Sequence, residues 1–79
     1  MDGIVTIDLH GKNRYQAKVA VDAALRRASG GVWRIRLIHG HNAGTALKEM
    51  IGEEYARHPK VRHLAAEGAG VTVLVLREF

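Results

Sequence analysis

The sequence predicts an α/β two-layer sandwich of βαβαββ order: a four-stranded mixed sheet, strand order 1-2-4-3, with two helices on one face. Three observations predict it. Two short segments, residues 5–10 and 33–38, alternate apolar and polar side chains at period two. Each leads into a histidine-glycine pair, His10-Gly11 and His39-Gly40, and then into apolar residues at helical spacing. A third run, residues 71–76, is almost wholly apolar, as a strand flanked by others and covered on both faces would be.

In the first segment Val5, Ile7 and Leu9 alternate with Thr6, Asp8 and His10, and Gly11 ends the strand. Asn13 with Gln16 three residues later has the form of a capping box. Ala17, Val21, Ala24, Leu25 and Ala28 then recur at helical spacing, and Gly30-Gly31 stops the helix. Trp33, Ile35 and Leu37 alternate with Arg34 and Arg36 in a second strand that reaches about Ile38. A second helix starts near Thr45, carries Leu47, Met50, Ile51 and Tyr55 on one face, and ends near His58, because Pro59 disfavours helix there. Residues 61–66 read as a weaker third strand, and Glu67-Gly68-Ala69-Gly70 as a turn into the last one.

The two β-α-β links are expected to be right-handed crossovers that place both helices on one side of the sheet. The short glycine turn makes the last two strands antiparallel. The apolar last strand then belongs inside the sheet, between the second and third.

At 79 residues the chain is sized for one domain. A chain of this length buries only about 60% of its unfolded surface, so any site is shallow and open to large substrates. No apolar stretch approaches the roughly 20 residues that span a bilayer, so no membrane association is expected. The start, Met1-Asp2-Gly3, has no signal-peptide core, and there is no cysteine; both fit a cytoplasmic protein. Twelve basic residues against eight acidic ones give a net charge of +4. An excess of that sign points to a polyanionic partner, nucleic acid first.

Period two puts Asp8 and His10 on one strand face, about 6.6 Å apart along the strand, opposite Val5, Ile7 and Leu9. Arg34 and Arg36 fall on the corresponding face of the neighbouring strand, where a guanidinium suits phosphate. Pairing of Asp8 with either arginine is the plainer reading. His10 and His39 both lie at the C-terminal ends of parallel strands, where open α/β sheets bind ligands. The loop bearing Gly40, His41, Asn42 and Gly44 enters a helix N-terminus, a phosphate-binding arrangement to which Lys48 adds charge one turn in. Trp33 reads as core and Tyr15 as surface. His39 with His41, and His58 with His63, have neither a cysteine nor a second carboxylate to complete a metal-site spacing. No cofactor is therefore expected, with a divalent metal as the alternative. The loop also lacks the glycine-lysine pattern of nucleotide-hydrolysing proteins.

The strings Ile7-Asp8-Leu9-His10 and His39-Gly40, in this order and in a βαβαββ frame, resemble the small MutS-related (Smr) domain family, with its L-D-x-H motif on the first strand and H-G-x-G motif after the second. Isoleucine stands for the leucine of the first motif. Asn42 stands where the short second motif has its next glycine, and Gly44 comes later. The tail Gly68-Ala69-Gly70-Val71-Thr72-Val73 is also similar to the family's glycine-rich turn and final strand. The resemblance covers residues 5–76, so residues 1–79 read as a single Smr-like domain. It implies a fold similar to the C-terminal domain of translation initiation factor three, binding of DNA or RNA, and endonuclease activity. The alternative is a non-catalytic module of a repair or translation-quality-control protein. It implies partners such as a ribosome or a MutS-like protein. By matching position, Asp8, His10 and His39 are the expected catalytic residues, with His10 and His39 sharing acid and base duties.

Overall fold

A computed structural model describes residues 3–40 and 45–78. The elements are β1 (Ile4–Asp8), α1 (Arg14–Arg27), β2 (Arg34–Ile38), α2 (Thr45–Tyr55), β3 (His63–Ala66) and β4 (Val71–Val75). They form one four-stranded sheet of order β1-β2-β4-β3. β1 and β2 are parallel, with Val5 opposite Ile35 and Asp8 opposite Ile38. β4 runs antiparallel to both of its neighbours. The βαβαββ order and the 1-2-4-3 sheet are those the residue pattern predicts.

α1 begins where its local chemistry says it should. The Asn13 side chain accepts from the Gln16 backbone N–H at 2.7 Å, and the Gln16 side chain accepts from the Asn13 N–H at 3.0 Å. This reciprocal pair satisfies two of the donors that a helix start leaves orphaned. Ala17, Val21 and Leu25 are its buried stripe. α2 buries Leu47, Met50, Ile51 and Tyr55 and stops at Tyr55, three residues short of the expected His58. There the chain turns tightly, with the His58 N–H donating to the Tyr55 carbonyl before Pro59.

The main core lies between helices and sheet, where Leu9, Ile35, Leu37 and Leu74 meet Val21, Leu25, Leu47 and Ile51. The other sheet face carries Thr6 and Asp8 from β1, Arg34 and Arg36 from β2, and Val73 and Val75 from β4, by strand parity. Val73 and Val75 are each 1% exposed although no helix covers them. In register they are flanked by Arg36 and Ala65 and by Arg34 and His63. On the β2 side the aliphatic stems of the two arginines lie beside the valines and shield them.

Candidate functional site

Two turns at the C-terminal edge of β1 and β2 carry the histidine motifs, and they point in opposite directions. After Asp8 one more bond, from the Leu9 N–H to the Ile38 carbonyl at 2.7 Å, holds the chain to β2. Leu9 drops into the core, and a turn closed by the Lys12 N–H on the Leu9 carbonyl (3.0 Å) carries His10 and Gly11. Gly11 has φ +79°, a left-handed conformation that a side chain disfavours. Asp8 Oδ1 accepts two hydrogen bonds from His10, one from its backbone N–H (3.1 Å) and one from ring Nδ1 (2.5 Å). Those bonds, the ring one foremost, hold the Asp8 carboxyl below the usual carboxylate range. Because a carboxylate only accepts, Nδ1 carries a proton, and the tautomer this selects for the neutral ring has its lone pair on Nε2. Nε2 has no protein partner among the described residues, and the His10 side chain is 74% exposed. The arrangement is an oriented imidazole base facing solvent.

His39 does the reverse. Its residue is 4% exposed. Nδ1 donates to the Gly40 carbonyl at 2.8 Å, and Nε2 meets the Thr72 hydroxyl at 2.9 Å. The Nδ1–H tautomer that the carbonyl requires makes Nε2 the acceptor for the Thr72 O–H. The backbone N–H groups of His39 and Gly40 both donate to the Gly70 carbonyl, at 2.9 and 3.1 Å. A Cβ on Gly70 would stand 3.4 Å from Gly40 Cα, so the two glycine segments pack backbone to backbone. His39 therefore ties the end of β2 to the start of β4. The expectation that His10 and His39 share an exposed rim does not hold. β2 buries Ile35 and Leu37, and His39 follows in phase with them, whereas His10 is out of phase with Val5, Ile7 and Leu9.

The two arginines of the open face are also unequal. Arg36 Nε and Nη2 both reach Glu67 Oε1 at 2.9 Å, and Nη1 donates to Thr6 Oγ1 at 3.2 Å. Arg34 has no ion-pair partner among the described residues. Its Cζ lies 5.2 Å from the Trp33 ring centroid, a cation–π contact, and its Nε is buried without a hydrogen bond. Asp8 pairs with neither arginine, contrary to the plainer reading of the spacing.

A model of the Smr domain family matches residues 7–77. The chain belongs to the Smr domain family. It is also similar to a solved structure, the Smr domain of MutS2 from Thermus thermophilus, with a TM-score of 0.83 and 36% sequence identity over 94% of this chain and 99% of that one. No curated protein sequence matches the chain.

In this Smr domain, Lys48 is exposed in the first turn of α2, with no carboxylate partner among the described residues. His41, Asn42 and Gly44 lie outside the described residues. Gly40 has φ +77°. Among the described residues no three histidine or acidic side chains form a group that could hold a metal ion. His58 and His63 are separately engaged: His58 Nδ1 accepts from the Lys60 N–H, and His63 Nδ1 pairs with Glu78 at 2.8 Å. No described helix is long and apolar enough to cross a membrane. Trp33 is half-buried against Gly3, where a Cβ would fall 1.9 Å from its Nε1. Tyr15 is 76% exposed, as read. Two partners escaped the sequence reading. Thr72 left a signal, as the lone hydroxyl in an apolar run. Glu67 left none, being 31 residues from Arg36.

Proposed function

We propose that this Smr domain binds nucleic acid across its open sheet face and cleaves phosphodiesters, with His10 as the general base. The observation that carries the reading is the Asp8–His10 pair, which fixes the ring tautomer and leaves Nε2 facing solvent. Nε2 would take the proton of the attacking hydroxyl. Asp8 would stabilise the imidazolium that results, and the imidazolium would return the proton to the leaving oxygen. An RNA 2′-hydroxyl suits a site this shallow. The nucleophile is already tethered beside the phosphate, so the protein need not position a water. Arg34, Lys48 and the α2 N-terminus would hold phosphates; Arg36 would do so by exchanging Glu67 for one. His39, inside the fold, enters as a positioning residue for the loop before α2.

The test is cleavage of single-stranded RNA and nicking of supercoiled DNA, with and without EDTA. His10→Ala is expected to lose about 10²- to 10⁴-fold in rate. Wild-type cleavage by His10→Ala would refute the assignment. A non-catalytic binding module, within a MutS-like protein or on a ribosome, is the second reading. The burial of His39 favours it, since it removes one of the two imidazoles expected at the rim. Salt-dependent binding without cleavage by the wild-type domain would establish that reading.

A further inference from the structure

The net positive charge of the chain is concentrated at the pole opposite His10. Three elements meet there: the C-terminal turn of α1 with Arg26 and Arg27, the connection from α2 to β3 with Arg57, Lys60 and Arg62, and the end of β4 with Arg77. The strand registers place them together, since His63 and Val75 lie level with Arg34 at the start of β2. Side-chain contacts agree. Lys60 Nζ donates to the Leu25 carbonyl at 2.9 Å, and Arg77 Nη2 would lie 3.4 Å from a Cβ on Gly30. Shallow grooves join the groups: Arg26 and Lys60 line one with Asp22 and Glu54, Lys60 and Arg77 a second, and Arg62 and Arg77 a third with Glu78.

The charge balance is one-sided. Away from this pole the described residues include six basic and six acidic side chains, and Arg14, Lys18 and Arg36 there are paired with carboxylates. At the pole six basic residues stand beside Glu78, which His63 engages, while two of the acids counted above, Asp22 and Glu54, reach the edge of the first groove, where Lys18 pairs with both. Favourable alignment with the α1 dipole accounts for Arg26 and Arg27, and capping accounts for Lys60. Arg57, Arg62 and Arg77 have no such role.

We propose that this basic pole is a second phosphate-backbone contact, which anchors a nucleic-acid strand that crosses the open face past Arg34 to reach His10. The inference rests on the nucleic-acid reading above and adds a footprint to it. Arg34 and Ile38 are separated by about 13 Å of strand rise, so the anchor and the imidazole contact different nucleotides. Clustered, mostly unpaired guanidiniums fit the repeating charge of a phosphate backbone.

The experiment measures binding of a fluorescent 20-nucleotide single-stranded RNA, by anisotropy, at several salt concentrations. All proteins carry His10→Ala, so binding is read apart from cleavage. Arg26→Gln/Arg62→Gln/Arg77→Gln removes three exposed charges; circular dichroism melting checks that the fold is kept. Binding at low salt is expected to weaken roughly 10- to 100-fold, and the slope of log K against log salt to flatten by about 2. Arg14→Gln, a control on the α1–α2 surface, is expected to change neither. In the His10-intact protein the triple variant is expected to keep its cleavage rate at saturating RNA. Wild-type affinity and slope in the triple variant would overturn the anchor while leaving the His10 assignment standing. Equal competition by polyglutamate would also overturn it, in favour of an acidic protein partner. Loss of cleavage with binding intact in the wild-type domain would instead sink only the catalytic reading.

Discussion

Thr72→Val separates the two roles that His39 can have. The substitution removes a hydroxyl at nearly constant volume and never touches the solvent-facing side of the site. Thr72 is 8% exposed and His39 4%, so water has little access to the Nε2 that loses its donor. A buried acceptor left unsatisfied costs about 1–3 kcal/mol. The added methyl recovers up to roughly 0.8 kcal/mol of that. A net loss of roughly 0.2–2 kcal/mol remains, which in a domain of this length lowers Tm by roughly 1–16 °C. His39→Ala removes both ring bonds and leaves a void, for a cost at the upper end of single substitutions, about 3 kcal/mol. The double variant is expected to cost less than the sum of the singles, by about 1 kcal/mol or more, because the two side chains are direct partners. Urea unfolding followed by Trp33 fluorescence and circular dichroism measures these values; RNA cleavage is measured alongside. If His39 acts by holding the loop before α2, activity falls in both single variants and tracks their stability. If His39→Ala instead unfolds at the wild-type urea midpoint and loses cleavage a hundredfold, the ring acts on the substrate and the positioning argument is wrong.

Three further outcomes follow from the same contacts. Asn13→Ala deletes one half of the α1 capping box and should cost about 1 kcal/mol, read as a lower Tm with unchanged activity. Gly3→Ala places a Cβ against the Trp33 indole at a residue with φ +78°, and should cost about 2 kcal/mol or more, with a shift in Trp33 fluorescence as the ring moves. Burial pushes the Asp22 carboxyl up, but hydrogen bonds from Lys18 Nζ and the Tyr55 hydroxyl outweigh it and hold the group below the usual range. A carboxyl depressed in the folded state contributes stability above its unfolded value, near 3.9, and loses that contribution as pH falls through the folded one. Acid titration should therefore show stability falling below about pH 4, and Asp22→Asn should flatten that fall.

Much of the fold was legible because it is locally encoded. Alternation at period two marks β1 and β2, the Asn13-Gln16 spacing marks the start of α1, and the apolar run of β4 marks a strand paired on both edges. The Asp8–His10 contact is also local, two residues apart, and its place on the open face follows from parity alone. The same parity count applied to His39 puts it in phase with Ile35 and Leu37, on the buried side. The repeated histidine-glycine pair concealed that difference, since identical motifs sit at opposite phases of their strands.

What remained depends on contacts that no local pattern encodes. The sequence by itself determined the element order, the strand that lies inside the sheet, and an aspartate-histidine pair at an exposed edge, because each follows from side-chain period and near-neighbour hydrogen bonds. Only the tertiary structure decided that Thr72 closes the second imidazole inside the core, that Glu67 occupies Arg36, and that the charge excess gathers at one pole. Those outcomes arise where separate strands and loops converge. A buried ring must find its partners, and surplus charge shows its place, only once the sheet has brought distant residues together.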